Sequence, residues 1–221
     1  MAVTVLIADD HAVTRQGLRA VLDERLGAQV VAEARDGLDT LRMLEEHTPD
    51  VLILDLALPG LNGLDVLAQA ERRSPATRVV VLSMHSDDSY VVQAFRHGAA
   101  AYVLKGAGAD ELVAAVQAAL EGSTYVSIAL PDVLIEKAQA DPDTGSSDRY
   151  DLLTDREREV FQLVAEGYTS REIGERLYIS RRTVDKHLQN AMAKLNLRNQ
   201  ADAIRFALQR GLIPEDPGDD A

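Results

Sequence analysis

Within residues 1–122, five short apolar runs alternate with five amphipathic stretches of helical period. The apolar runs occupy residues 4–8, 30–34, 51–54, 79–82 and 101–104, and the helical patterns 13–23, 38–46, 64–73, 89–97 and 110–121. Strands separated by helices cannot be joined as hairpins. They require crossover connections, which pack back onto the sheet with right-handed sense. The order therefore predicts an α/β domain with a doubly wound, five-stranded parallel sheet covered on both faces. Near-continuous Val, Ile and Leu in the central runs fits strands buried on both sides. Aromatic residues make up only 4% of the chain and Trp is absent, so the core must be aliphatic.

The pattern changes further along. A helical stretch over 131–140 leads into the polar, turn-rich segment 141–149, which has linker composition. Beyond it the period is helical throughout, over 155–166, 170–177, 181–195 and 200–210, which predicts a four-helix all-α domain. This reading divides the chain into a domain over 1–122, a partly helical linker over 123–150, a helical domain over 151–213 and an acidic tail over 214–221. The net charge of −13 argues against nucleic acid, but the charge is unevenly spread. Residues 1–130 carry 10 basic against 18 acidic side chains, whereas residues 152–213 carry 11 against 8. One mildly basic segment thus sits inside an acidic protein, which permits phosphate contact. The absence of Cys excludes disulfides, thiolate metal sites and cysteine nucleophiles. No apolar run approaches the roughly 18 residues that span a bilayer, and Val3 to Ile7 follow the start with no basic leader. The expected location is the cytoplasm, without membrane contact.

In open parallel sheets chemistry gathers at the carboxyl ends of the strands. Here the first strand runs into Asp9 and Asp10, the third into Asp55, the fourth into Ser83 and the fifth into Lys105. Converging carboxylates repel one another and favour a hard cation such as Mg²⁺, which takes oxygen ligands. With that charge neutralised, a phosphoryl group could reach one Asp, and a Lys and a hydroxyl could hold its oxygens. Each residue alone also fits a plainer role, as a helix cap or a solvated loop charge. His85 and His97 lack metal-ligand spacing and fit surface or helix-end positions.

The segments Ile7-Ala8-Asp9-Asp10-His11, Leu54-Asp55 through Gly63, Val81-Leu82-Ser83-Met84-His85 and Tyr102-Val103-Leu104-Lys105-Gly106 resemble the receiver domains of two-component response regulators, with their flavodoxin-like fold. The resemblance implies that Asp55 is the phosphoacceptor. It implies Mg²⁺ ligands in Asp10, Asp55 and the Ala57 backbone carbonyl, with Asp9 acting through water. Ser83 and Lys105 would bind the phosphoryl group, and Ser83 and Tyr102 would form the switch. Leu58 departs from the usual Met before Pro59, a swap that conserves volume.

In the helical domain, Thr154 with Glu157 forms a capping-box pattern, and a short helix, a turn at Tyr178-Ile179 and a Ser180-capped helix follow. That is a helix-turn-helix pattern. An ordinary helical bundle with a solvated basic face fits the same periodicity. The runs Leu153-Thr-Asp-Arg-Glu-Arg-Glu-Val, Arg171-Glu172-Ile173, Ile179-Ser180-Arg-Arg-Thr183-Val184, Lys186-His187, Lys194-Leu195 and Gly211-Leu212-Ile213 resemble a LuxR-type DNA-binding domain. Together the two halves resemble NarL/FixJ-type response regulators. This implies that helix 181–195 enters the major groove of double-stranded promoter DNA, with Asp185, Lys186 and Gln189 toward bases, Arg182, Thr183 and His187 mainly toward the backbone, and Arg181 also in contact with DNA. Asp185 departs from the Lys frequent there and fits only as a hydrogen-bond acceptor, for example from cytosine N4, or facing away.

The resemblance also implies a sensor histidine kinase or small phosphodonor upstream, a homodimer when phosphorylated or DNA-bound, and RNA polymerase as a candidate partner. No separate substrate turnover is expected, only self-dephosphorylation. A Mg²⁺-dependent phosphotransferase would need a substrate cap, and only a short Pro-Gly loop and a helix follow Asp55. A regulator acting through protein contacts, and one binding DNA independently of phosphate, are the other readings.

Overall fold

The computed structural model describes residues 2–131, 133–139, 149–210, 212 and 213. These fall into two compact units, one comprising the described residues in 2–59 and 63–139, the other those in 60–62 and 149–213. The expected linker residues 141–148 and the acidic tail 214–221 lie outside the described residues.

The first unit interleaves strands β1 (Thr4–Ala8), β2 (Gln29–Ala34), β3 (Val51–Asp55), β4 (Arg78–Ser83) and β5 (Ala101–Leu104) with helices α1 (Ala12–Leu26), α2 (Gly37–His47), α3 (Gly63–Arg73), α4 (Asp88–Arg96) and α5 (Ala109–Glu121). All pairings are parallel, and with a short further strand β6 (Tyr125–Val126) the strand order is β2-β1-β3-β4-β5-β6. Every residue of β3 is buried, as its unbroken Val-Leu-Ile-Leu run requires of a central strand covered on both faces. One face packs Val5, Ile7, Val51, Ile53, Val80 and Val103 against Leu18 and Leu22 of α1 and Leu112, Ala115, Val116 and Ala119 of α5. The small residues of α5 let it approach the sheet closely. Helix ends follow local chemistry: Asp36 caps α2 by accepting from the Asp39 amide at 2.7 Å, and α1 ends on Gly27 in the left-handed region at φ 59°.

The sheet has six strands, not the five expected. The sixth, β6 (Tyr125–Val126), lies in the segment assigned to the linker and pairs with β5. Two residues are too few to show a period of two, so nothing local marks them as a strand. Tertiary partners make it one. The Tyr125 amide donates to the Ala100 carbonyl and the Ser127 amide to the Tyr102 carbonyl. Glu111 of α5 then accepts from Ser127 Oγ at 2.5 Å and the Ile128 amide at 3.2 Å. A further helix, α6 (Val133–Gln139), packs on α4 with Leu134 fully buried.

The second unit starts with a 3₁₀ turn (Arg149–Leu152) and continues through α7 (Asp155–Ala165), α8 (Ser170–Leu177), α9 (Arg181–Leu195) and α10 (Gln200–Gln209). Two capping boxes start its first two helices, Thr154 with Glu157 and Thr169 with Glu172. Its core gathers scarce aromatics: Tyr150, Phe161 and Phe206 meet with centroids 5.8–6.3 Å apart. Lys194 reaches across from α9 to Glu157 Oε2 at 2.6 Å and to the Leu152 carbonyl at 3.0 Å, tying α9 to the start of α7. Gly174 permits the tight turn after α8: a Cβ there would lie 2.7 Å from the Ile179 carbonyl oxygen.

Three substitutions test these local readings by their effect on stability. Burial alone would raise the Glu157 carboxyl, but the Lys194 ammonium and the Thr154 donors outweigh it and hold the carboxyl below 4.5. A lowered folded-state value stabilises fully above 4.5, and the contribution is lost as pH falls through that lowered value. Glu157→Gln should therefore cost about 1–3 kcal/mol at neutral pH, with the difference from wild type shrinking in acid, as urea unfolding at both pH values would show. In the same assay Gly174→Ala should destabilise by about 1–3 kcal/mol through overpacking. Gly17→Ala, in α1 with nothing within 4 Å of the added carbon, should instead stabilise by about 0.5–1 kcal/mol.

Candidate functional site

The strand order places the carboxyl ends of β1 and β3 side by side, with β4 and β5 following. Asp9 and Asp55, both almost wholly buried, meet there. Lys105, just past β5, puts its Nζ 2.6 Å from Asp55 Oδ2 and 2.9 Å from Asp9 Oδ2. The other Asp55 oxygen accepts from the Ala57 amide at 3.1 Å, and Asp9 Oδ1 accepts from the His11 amide at 2.8 Å. Asp10 is more exposed and its Oδ1 lies 2.6 Å from His11 Nδ1. Ligand atoms of Asp9, Asp10, His11 and Asp55 all lie within 4.8 Å of one another.

One ammonium faces two buried carboxylates, so the site carries excess negative charge. Burial raises the Asp55 carboxyl against the opposing pull of Lys105. Lys105 itself is raised: burial disfavours its charge, but Asp55 and Asp9 together outweigh that. Asp9 Oδ2 pairs with Lys105 at 2.9 Å and, among the described residues, has no further hydrogen-bond partner. A buried oxygen left so, in a cluster with surplus negative charge and oxygen donors, fits a hard divalent cation. Gly63 lets the start of α3 press against the end of β3: its amide donates to the Leu56 carbonyl at 2.9 Å, and a Cβ would overlap the Asp55 carbonyl and Leu56 Cα.

A hydrogen-bonded chain leads away from this site. Ser83, fully buried, accepts at Oγ from the His85 amide at 3.1 Å. The Tyr102 hydroxyl donates to the His85 carbonyl at 2.8 Å. Burial pushes the Tyr102 phenol up to about 12, so it stays a donor at neutral pH. The His85 ring stacks on Tyr90 of α4 with centroids 4.3 Å apart.

The second unit presents a different surface. Helices α8 and α9 are joined by Tyr178, Ile179 and Ser180, with Tyr178 in the left-handed region at φ 54°. Ser180 caps α9, accepting from the Thr183 amide at 3.1 Å, and the two hydroxyls lie 2.8 Å apart. Val184, Ala191 and Leu195 are buried, whereas Arg181, Arg182, Asp185, Lys186, Gln189 and Asn190 are exposed. Arg182, Lys186 and Gln189 recur at helical spacing opposite the buried stripe. Thr183 and His187 are half-buried at its flank. Asp185 stands exposed one turn beyond Arg181, with 3.9 Å between Arg181 Nε and Asp185 Oδ2. It does not turn inward.

Comparison with known proteins agrees with both halves. Residues 5–117 match the response regulator receiver domain family, and residues 151–207 match the luxR family of bacterial regulatory proteins. The chain is 36% identical over 214 residues to the oxygen regulatory protein NreC of Staphylococcus epidermidis, covering 95% of this chain and 98% of that protein. It is a NarL/FixJ-type response regulator. A LuxR-family two-component response regulator from Aurantimonas sp. SI85-9A1 matches with TM-score 0.58 and 32% identity, over 64% of this chain and all of that one. Salmonella typhimurium RcsB matches with TM-score 0.56 and 27% identity, over 93% of this chain and 97% of that one. An RcsB–DNA complex gives TM-score 0.56 at 25% identity, over 93% and 98% of the two chains.

This response regulator thus has a receiver domain and a LuxR-type DNA-binding domain. Receivers hold Mg²⁺ through the Asp cluster that Asp9, Asp10 and Asp55 form here. Among the described residues no helix is long and apolar enough to cross a membrane. Sequence reading passed over three features of the site: the stack of His85 on Tyr90, the close approach at Gly63, and a buried Arg15 behind Asp9. The first two left no signal in local pattern. Arg15, basic within the first turn of an otherwise apolar helix face, was the one that composition could have flagged.

Proposed function

We propose that the protein is a phosphorylation-controlled regulator of promoter DNA, with Asp55 as phosphoacceptor. The observation that supports this most directly is the shared Lys105, which pairs with both buried carboxylates at the strand ends. A sensor histidine kinase or a small acyl phosphate supplies the phosphoryl group. An Asp55 oxygen attacks phosphorus, the phosphorus bond to the donor's nitrogen or oxygen breaks, and the leaving group keeps the electron pair. A histidine donor then takes a proton on the freed ring nitrogen. Asp10, Asp55 and the Ala57 carbonyl are the expected Mg²⁺ ligands, with Asp9 acting through water. Bound Mg²⁺ neutralises charge on the carboxylates and the phosphoryl oxygens. Lys105 then turns from carboxylate to a phosphoryl oxygen, and Ser83 Oγ, whose proton is not used in accepting from His85, donates to another. The protein acts on no separate substrate; the phosphoryl group leaves Asp55 by hydrolysis. It works in the cytoplasm.

Movement of Ser83 toward the phosphoryl group draws on the His85 peptide, which holds Tyr102 and, through its ring, Tyr90 of α4. Binding is thereby coupled to a change in the α4 face, and the modified state is the one that binds DNA as a homodimer. Helix α9 lies in the major groove, with Lys186, Gln189 and Asp185 toward base edges and Arg181, Arg182, Thr183 and His187 toward the backbone. RNA polymerase is a candidate partner at the promoter.

Wild type and Asp55→Asn should be compared for selection from randomised duplex DNA, with and without an acyl phosphate and Mg²⁺. Wild type alone should gain one phosphoryl group per chain and enrich a repeated motif. Equal selection by both proteins would show a receiver switched by something other than phosphate. On the selected site, Gln189→Ala should cost about 1–3 kcal/mol and relax preference at one base position. Arg182→Ala should weaken binding across all sequences and lower the salt slope by about 1, as titrations at several salt concentrations would show.

A further inference from the structure

Behind the acidic cluster lies an arginine that the phosphoryl chemistry does not use. Arg15, in the first turns of α1, is only 4% exposed. Its Nη1 donates to the Asp9 carbonyl oxygen at 2.7 Å, and its Nε lies 3.2 Å from Glu33 Oε2 on β2. Glu33 is held in turn by Arg19, one helical turn further along α1, at 2.9 Å and 2.5 Å through Nε and Nη2. The planar guanidinium thus bridges two elements through two different edges, which a lysine cannot do.

The consequence falls on Asp9. Its three oxygens have separate directions: the carbonyl faces Arg15, Oδ1 faces the His11 amide, and Oδ2 faces Lys105 in the site. The peptide joining Asp9 to Asp10 is the one whose carbonyl Arg15 holds. Fixing that peptide fixes where both carboxylates leave the backbone. We infer that Arg15, braced by Glu33, is a positioning residue for the divalent cation, orienting the Asp9–Asp10 peptide so that both carboxylates face the site. This inference rests on the proposed Mg²⁺ reading of the cluster and adds a residue to it.

Charge and geometry make opposite forecasts, which makes the idea testable. Removing a cation near an acidic site should by Coulomb attraction alone tighten Mg²⁺ binding. Losing a partner that orients ligands should weaken it, by about tenfold or more. Mg²⁺ affinity of the full chain is measured by titration calorimetry, well below the melting temperature, for wild type, Arg15→Met, Arg15→Lys and Asp10→Asn. The expected result is weaker binding in Arg15→Met despite the lost positive charge. Arg15→Lys keeps the charge and folds more readily, and its single ammonium should still leave binding several-fold weaker. Wild-type or tighter affinity in a folded Arg15→Lys or Arg15→Met would overturn the inference and leave Arg15 a structural ion pair. If wild type and Asp10→Asn bind Mg²⁺ equally poorly, the cation reading fails first and the inference with it.

Discussion

Burying two carboxylates against one ammonium is the constraint on which the rest of the receiver depends. Asp9 and Asp55 are removed from water almost completely, and Lys105 answers both. A buried charge without compensation is costly, so this site is stable only while its three groups stay in register. The register is delivered by strand order. With β1 and β3 adjacent and β5 two places away, the ends of three strands converge on one point that no single hairpin could make. The same excess negative charge that strains the site makes it receptive to a cation. Stability is thus held short of its optimum where the chemistry happens, as functional sites commonly show.

The chain of contacts leading from the site runs through backbone as much as side chains. His85 gives its amide to Ser83 and its carbonyl to Tyr102, while its ring lies on Tyr90. One residue therefore touches the buried Ser83 hydroxyl, a buried β5 ring and the first turns of α4. Helix α6 packs on α4 as well. Tight interiors do not deform continuously, so a displaced Ser83 has few ways to be absorbed other than a shift of that face.

The sequence was most informative where a feature repeats or stands at an element end. Strands β1 and β5 and helices α8 and α9 coincide with the apolar runs and helical periods read from the residues alone. Asp9, Asp55, Ser83 and Lys105 could be gathered because each stands at a strand end, and parallel sheets bring such ends together. β6 escaped because two residues carry no period and its pairing is created by β5 and Glu111, both distant in sequence. Arg15 escaped for a related reason: nothing in an α1 periodicity shows that its guanidinium turns back toward the carbonyl of Asp9, just past the end of β1. What remains illegible is what depends on side-chain direction across elements.

The charge of the recognition helix bears on how such an acidic chain would meet DNA. Residues 152–213 carry a surplus of only three positive charges in a chain of net charge −13. Asp185 stays exposed beside Arg181, lowering the local positive field further. A single copy then has little counterion release to draw on, and affinity depends steeply on the number of phosphates neutralised. Two copies on a repeated site double that number, and the second binds at the effective concentration set by the first. A weakly basic reading head is therefore well matched to a switch that acts through assembly: bound strongly as a pair and poorly alone, its occupancy follows the state of the receiver rather than the charge of the helix.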